Sequence, residues 1–136
     1  KSNHYLTEVI MTEINKRKFT ARIGNDFIKK LTFTKQDPSD PNNKDAKIPI
    51  DMTGYSFEIQ VRKCKSDVDT ILSLSSPTDI DISDVANGNI TISITDTVTT
   101  TLNERNAVYD LKWTTNLGII TTILEGNFQI LETVTK

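Results

Sequence analysis

The sequence predicts an all-β protein, an immunoglobulin-like antiparallel β-sandwich of about seven strands with one short helical turn. Three observations predict it. Threonine is very abundant while alanine is scarce; β-branched side chains such as Thr, Ile and Val lose rotamer freedom in helices and fit pleated surfaces. Several stretches alternate apolar and polar residues with period two, as half-wet strands do. Turn signals separate them at roughly ten-residue intervals. One open sheet would leave its apolar face in water, and two packed sheets remove that cost. The Cys…Trp…Cys pattern of antibody domains is absent, so the likeness is one of architecture.

The elements follow in order. KFTARIG (18–24) places Phe19, Ala21 and Ile23 on one face as a first strand. Gly24-Asn25-Asp26 is a turn signal. FIKKLTFTK (27–35) turns Phe27, Leu31 and Phe33 inward, with Lys29 in the same register at an edge. QDPSDPNNKDAKIP (36–49) is rich in Asp, Asn, Pro and Lys and is expected to be a long surface loop. GYSFEIQVRKCK (54–65) alternates Phe57, Ile59 and Val61 with Glu58, Gln60 and Arg62. Ser66–Asp69 turns the chain into TILSLS (70–75), with Leu72 and Leu74 on one side. Residues 75–88 form a loop with a brief extended piece at Ile80 and Ile82, closed by a tight turn at Asn87-Gly88. NITISIT (89–95) alternates through Ile90, Ile92 and Ile94. In DTVTTTL (96–102) Asp96 caps a single helical turn with Val98 and Leu102 inward. AVYDLKWTT (107–115) carries Tyr109, Leu111 and Trp113 on its core face. Asn116-Leu117-Gly118 is a hairpin turn, and residues 119–135 are one long strand or two, with Gly126 where a bulge or bend is expected.

A chain of 136 residues makes one domain with a real core. Residues 1–17 read as an amino-terminal arm or a disordered leader, and 18–136 as the sandwich domain. A net charge of -2 gives no electrostatic reason to expect nucleic acid. No run approaches the ~20 apolar residues of a membrane helix. One cysteine, Cys64, excludes an internal disulfide.

Candidate chemistry is sparse. His4 is the only histidine, so any Ser-His-Asp or Cys-His pair would need it. Cys64 reads as a small semi-buried hydrophobe at a strand end. One Cys and one His cannot make a structural zinc site. Asp79, Asp81 and Asp84, with Asp96 farther on, offer oxygen ligands that calcium could use; their alternation with Ile80 and Ile82 is that of an edge strand with a wet face. Asp37, Asp40 and Asp45 belong to a solvated loop. Lys16-Arg17-Lys18 and Lys29-Lys30 are too free of aromatics for a nucleic-acid surface. Tyr109 and Trp113 could stack on a sugar, but their register with Leu111 is that of core residues. No catalytic, cofactor or metal residues are assigned.

The order of several marks resembles a family of bacteriophage tail and baseplate proteins. The marks are RIGNDFIKKLTF (22–33), IDMTGYSFEIQVRK (50–63), GNITISITDTVTTTL (88–102) and AVYDLKWTTNLGIITTILEGNFQILETVT (107–135). Within them stand Asp51, Thr53 and Gly54 before the strand ending in Arg62, then Tyr109-Asp110-Leu111, then Gly126 before Phe128 and Ile130, then Val134-Thr135. Asn25-Asp26 departs from the more usual Gly-Asp or Asp-Thr. The resemblance covers residues 19–135 and is to upper-baseplate amino-terminal domains and small neck, tail or fibre-attachment proteins. It implies a non-enzymatic virion structural protein, made in the bacterial host cytoplasm and carried in the phage particle. Its partners would be copies of itself, as a homo-oligomer, and other phage structural proteins, with no cofactor, nucleic acid or membrane. Residues 1–17 would then act as an arm that adds a strand to a neighbour, with Tyr5, Leu6, Val9 and Ile10 as anchors. The alternative is a carbohydrate-binding or adhesin-type sandwich recognising a cell surface, which needs exposed aromatics.

Overall fold

The computed structural model describes residues 15–43, 45–103 and 105–132. His4, the four anchors of the expected arm, and Val134-Thr135 lie outside these residues. Among the described residues eleven strand segments run in chain order: β1 (Asn15–Lys16), β2 (Phe19–Arg22), β3 (Phe27–Thr32), β4 (Thr34–Gln36), β5 (Lys47–Pro49), β6 (Ser56–Arg62), β7 (Leu72–Ser75), β8 (Ile80–Asp81), β9 (Asn89–Ile94), β10 (Arg105–Thr114) and β11 (Ile120–Leu131). A 3-10 turn spans Val85–Asn87, and α1 (Asp96–Thr99) is a single helical turn. No helix among the described residues is long and apolar enough to cross a membrane.

The segments form an immunoglobulin-like sandwich. One sheet is ordered β11-β10-β6-β7, with β1 and β2 both on the outer side of β11. The other is ordered β3-β9-β8. The core lies between them, where Phe57, Ile59 and Val61 of β6 and Tyr109, Leu111 and Trp113 of β10 meet Ile90, Ile92 and Ile94 of β9. All nine are buried, as their period-two spacing requires.

Three features depart from the expectation. First, β1 and β2 pair with β11 in parallel, Asn15 opposite Leu124 and Phe19 opposite Phe128, while the neighbouring ladders β10–β11 and β6–β10 are antiparallel. The described sheet therefore begins at Asn15, inside the segment read as an arm or leader. Second, residues 36–49 are not simply a loop. β4 and β5 pair across them, and the tip is ordered by Gln36 Nε2 donating to the carbonyls of Asp40 and Asn43 at 3.2 and 2.6 Å. Polar side chains supply the hydrogen bonds that apolar burial would otherwise have to compensate. Third, the irregularity in β11 falls at Ile123, not Gly126. Leu111 pairs with Leu124 but Lys112 pairs with Thr122, so Ile123 is the extra residue. That bulge turns two consecutive side chains, Ile123 and Leu124, into the core.

Gly126 has a different task. It sits in register opposite Tyr109. A Cβ there would lie 2.1 Å from the carbonyl oxygen of Arg17. The missing side chain lets the amino-terminal strand cross against the sheet, a use of glycine that needs no bend.

Candidate interaction surfaces

The strongest local construction is the anchorage of the chain around Arg17. Its N–H donates to the Glu125 carbonyl at 3.1 Å. Its carbonyl lies against Gly126 and accepts from the Tyr109 hydroxyl at 2.7 Å. The Tyr109 ring stacks on Phe19, with centroids 4.5 Å apart and planes 12° from parallel. Burial raises the pKa of the Tyr109 hydroxyl well above its usual value, the Arg17 charge opposing and the Glu125 charge adding to it. Tyr109 is thus committed to structure. Trp113 is also buried, edge-on to both Phe33 and Tyr55. Tyr55 is the half-buried member of that group, its pKa raised by desolvation and by Asp51.

A second construction holds α1. The Asp96 N–H donates to the Asp26 carboxylate at 2.7 Å, a cap supplied from 70 residues away. The expectation had Asp96 as the cap. Asp96 is instead the first helical residue, Thr95 takes the cap position without a side-chain bond, and the acceptor comes from the β2–β3 turn. Thr99, fully buried, accepts from the Gly24 N–H at 3.1 Å and donates to the Asn25 carbonyl at 2.9 Å. Leu102 is buried and Val98 partly so.

Five of the acidic residues serve their own turns. Asp37 accepts from Ser39, Asp51 from Thr53, Asp81 from Ser83, and Asp84 from Asn89 and Asn87. These bonds stabilise the ionised form and hold all four pKa values below the ordinary carboxylate. Asp79 accepts from the Ser75 N–H at 3.2 Å. Among the described residues no group of three His, Cys, Asp or Glu side chains is placed to hold a metal ion.

Cys64 is exposed, with Sγ 3.4 Å from Ser66 Oγ, and not semi-buried as expected. It lies past the end of β6, where no ladder or facing sheet covers it. The basic run Lys16-Arg17-Lys18 flanks the strand junction, with the Arg17 and Lys18 side chains exposed. Lys29 keeps the inward register of Phe27 yet is exposed, reaching its Nζ to 5.9 Å above the Phe19 ring.

The open surfaces are shallow. A groove of about 330 Å³ runs beside the Arg17 anchorage, lined by Arg17, Lys18, Lys65, Glu125 and Asn127. Lys65 bridges to Glu125 at 3.7 Å. A cleft of about 410 Å³ opens between β2 and β3, bordered by Lys18, Arg22, Asp26, Ile28 and Lys29. The β10–β11 hairpin exposes Leu117, Ile119 and Ile120. The sequence marks a hairpin turn at Asn116-Leu117-Gly118 and strand over 119–135, and carries no local sign that this tip is left uncovered.

No family model matches the chain, and none of the curated proteins does. Among solved structures, murine CRIg is similar at 15% identity, covering 85% of this chain and 92% of that one, with a TM-score of 0.38. The extracellular domain of the voltage-gated sodium channel beta4 subunit, described in parallel homodimers, is similar at 10% identity, covering 88% and 94%, with a TM-score of 0.37. A Photobacterium sp. JT-ISH-224 2,6-sialyltransferase is similar at 14% identity, with a TM-score of 0.27. The match covers 88% of this chain but 18% of the enzyme. Likeness at this level carries no functional inference.

Proposed function

We propose that the chain is a non-enzymatic structural protein of a bacteriophage tail, baseplate or fibre-attachment apparatus, assembling with copies of itself and with other virion proteins. The observation that carries the reading is the order of marks along residues 22–135. Several of them have structural work. Asp51 and Thr53 close the turn before β6. Tyr109 and Gly126 clamp the amino-terminal strand. Residues of this kind build a rigid block with exposed strand edges, which suits repeated lateral contact around a symmetry axis. The chemistry-bearing side chains are dispersed: Cys64 is on the surface, Tyr109 is bonded to backbone, and Asp37, Asp51, Asp79, Asp81 and Asp84 are tied to their own turns.

The adhesin alternative asks for aromatics on an accessible face. Among the described residues the aromatic side chains are buried except Tyr55, which is half-exposed, and this counts against that alternative. The test is the particle. Mass spectrometry of purified virions from the phage encoding this chain should find it in multiple copies per particle. Its absence from intact particles would reject the reading.

A further inference from the structure

We infer that copies of this chain join side by side, edge strand β3 of one copy against edge strand β8 of the next. The inference deepens the assembly reading by naming the surface, and the contact itself does not require a virion.

The β3-β9-β8 sheet leaves one side of β3 and one side of β8 without a strand partner among the described residues. The two edges carry opposite charge. β3 presents exposed Lys29 and Lys30, and Arg22 ends the adjacent β2. β8 presents exposed Asp81, with half-buried Asp79 just before it. The asymmetry extends along the chain. Residues 66–103 contain no lysine or arginine but hold Asp67, Asp69, Asp79, Asp81, Asp84 and Asp96. In residues 16–35, Asp26 is the sole acid among a run of lysines and arginines. The fold sends these stretches to opposite margins: β2 and β3 border one side of the sandwich, β7 and β8 the other.

The register aligns the charges. Asp81 pairs with Thr91, and Thr91 pairs with Lys30, so the three form one row across the outer face of the sheet. A second copy set alongside in the same orientation continues that row and brings Lys30 to the next copy's Asp81. Opposite charges at facing strand positions attract. Lysines on an edge ordinarily block pairing with another edge. Here they block β3 against β3, and the aspartates block β8 against β8, which leaves the mixed contact as the one without like-charge repulsion. Joining two different patches is a heterologous contact, which closes into a ring or continues as a filament. The twist of about 20–25° between neighbouring strands rotates each added copy relative to the last.

Sedimentation velocity on the full chain over a concentration series tests this, with wild type, Lys29→Glu/Lys30→Glu and Asp79→Lys/Asp81→Lys compared. Wild type is expected to self-associate, and less so as salt approaches about 1 M, where the screening length falls to about 3 Å. Each charge-reversed variant alone should lose association by roughly a hundredfold, with an unchanged circular dichroism spectrum. Mixing the two variants should restore it, because each then offers the other an edge of opposite charge. Should the Asp79 change disturb the turn it accepts from, Asp81→Lys alone replaces that variant. A wild type that stays monomeric at every concentration overturns the inference. Association that survives both reversals, or that mixing does not restore, overturns it too while leaving assembly through another surface intact. Presence in the virion is decided separately by mass spectrometry.

Discussion

Gly126 and Tyr109 show how much one position can fix. Gly126→Ala would drive a methyl group into the Arg17 carbonyl, and backbone on both sides leaves little room to give. We expect it to cost about 3 kcal/mol or more in urea denaturation and to raise hydrogen exchange along residues 19–22. Gly118→Ala is the control. Its φ of 85° is strained for alanine, but nothing lies within 4 Å, so its cost should stay near 1–2 kcal/mol with exchange at 19–22 unchanged. Tyr109→Phe removes the bond to the Arg17 carbonyl and should cost about 1 kcal/mol near neutral pH. Its pH dependence is more diagnostic. The folded hydroxyl holds its proton above the ordinary value of 10.0. Above that pH the unfolded chain ionises while the native state stays protonated, so the unfolded state binds fewer protons and stability falls as pH rises. Wild type should lose urea resistance from about pH 10 upward, and Tyr109→Phe should lose less over the same interval.

At the level of elements, the one-turn helix α1 is held almost entirely by partners remote in sequence. A single turn fixes several dihedrals for one hydrogen bond and is not stable alone. Asp26→Ala removes its cap and should cost about 1 kcal/mol. Thr99→Val keeps the shape but strips the hydroxyl that serves Gly24 and Asn25, and should cost about 1–3 kcal/mol. Because both residues hold the same β2–β3 turn, the double variant should cost less than the sum, as a thermal-melt cycle would read. This element marks the boundary of what the sequence could tell. The strands through Ile90, Ile92 and Ile94, and through Tyr109, Leu111 and Trp113, were legible because alternation is a local signal of burial. The helical turn was legible as a break in that alternation. Its cap was not, because Asp26 is brought to Asp96 only by the completed fold. Likewise a bulge at Ile123 has no local mark, whereas Gly126 looks like one. The edges were legible in part: the exposed register of Lys29 and the acids alternating with Ile80 and Ile82 marked edge strands, and β3 and β8 are the edges of their sheet, but that the two flank the same strand β9 was not.

For the molecule as a whole, the decisive event is the pairing of β2, near the start of the described residues, with β11 near their end. β2 lies parallel to β11, and the turn after it delivers the chain to the opposite sheet. Phe19 therefore stands where both layers meet. Its ring lies 4.5 Å from Tyr109 of β10, 5.8 Å from Phe27 of β3 and 6.3 Å from Phe128 of β11. Aromatic rings at such separations add to the stabilisation from burial alone. Phe19 is also the ring that Lys29 covers, so the same side chain closes the core and supports the charged edge of β3. Phe19→Ala should cost about 3–5 kcal/mol. Against a typical total of about 5–15 kcal/mol, that leaves the sandwich near its limit. Near-ultraviolet circular dichroism should weaken as the four-ring cluster loosens, and the urea midpoint should fall sharply. Phe19→Leu, which keeps apolar volume without the stacked face, should retain more than half of the lost stability. If Phe19→Ala unfolded no more readily than wild type, the amino-terminal strand would be an accessory laid on a domain already complete from β3 onward, and the clamp at Arg17 would have no part in closing it.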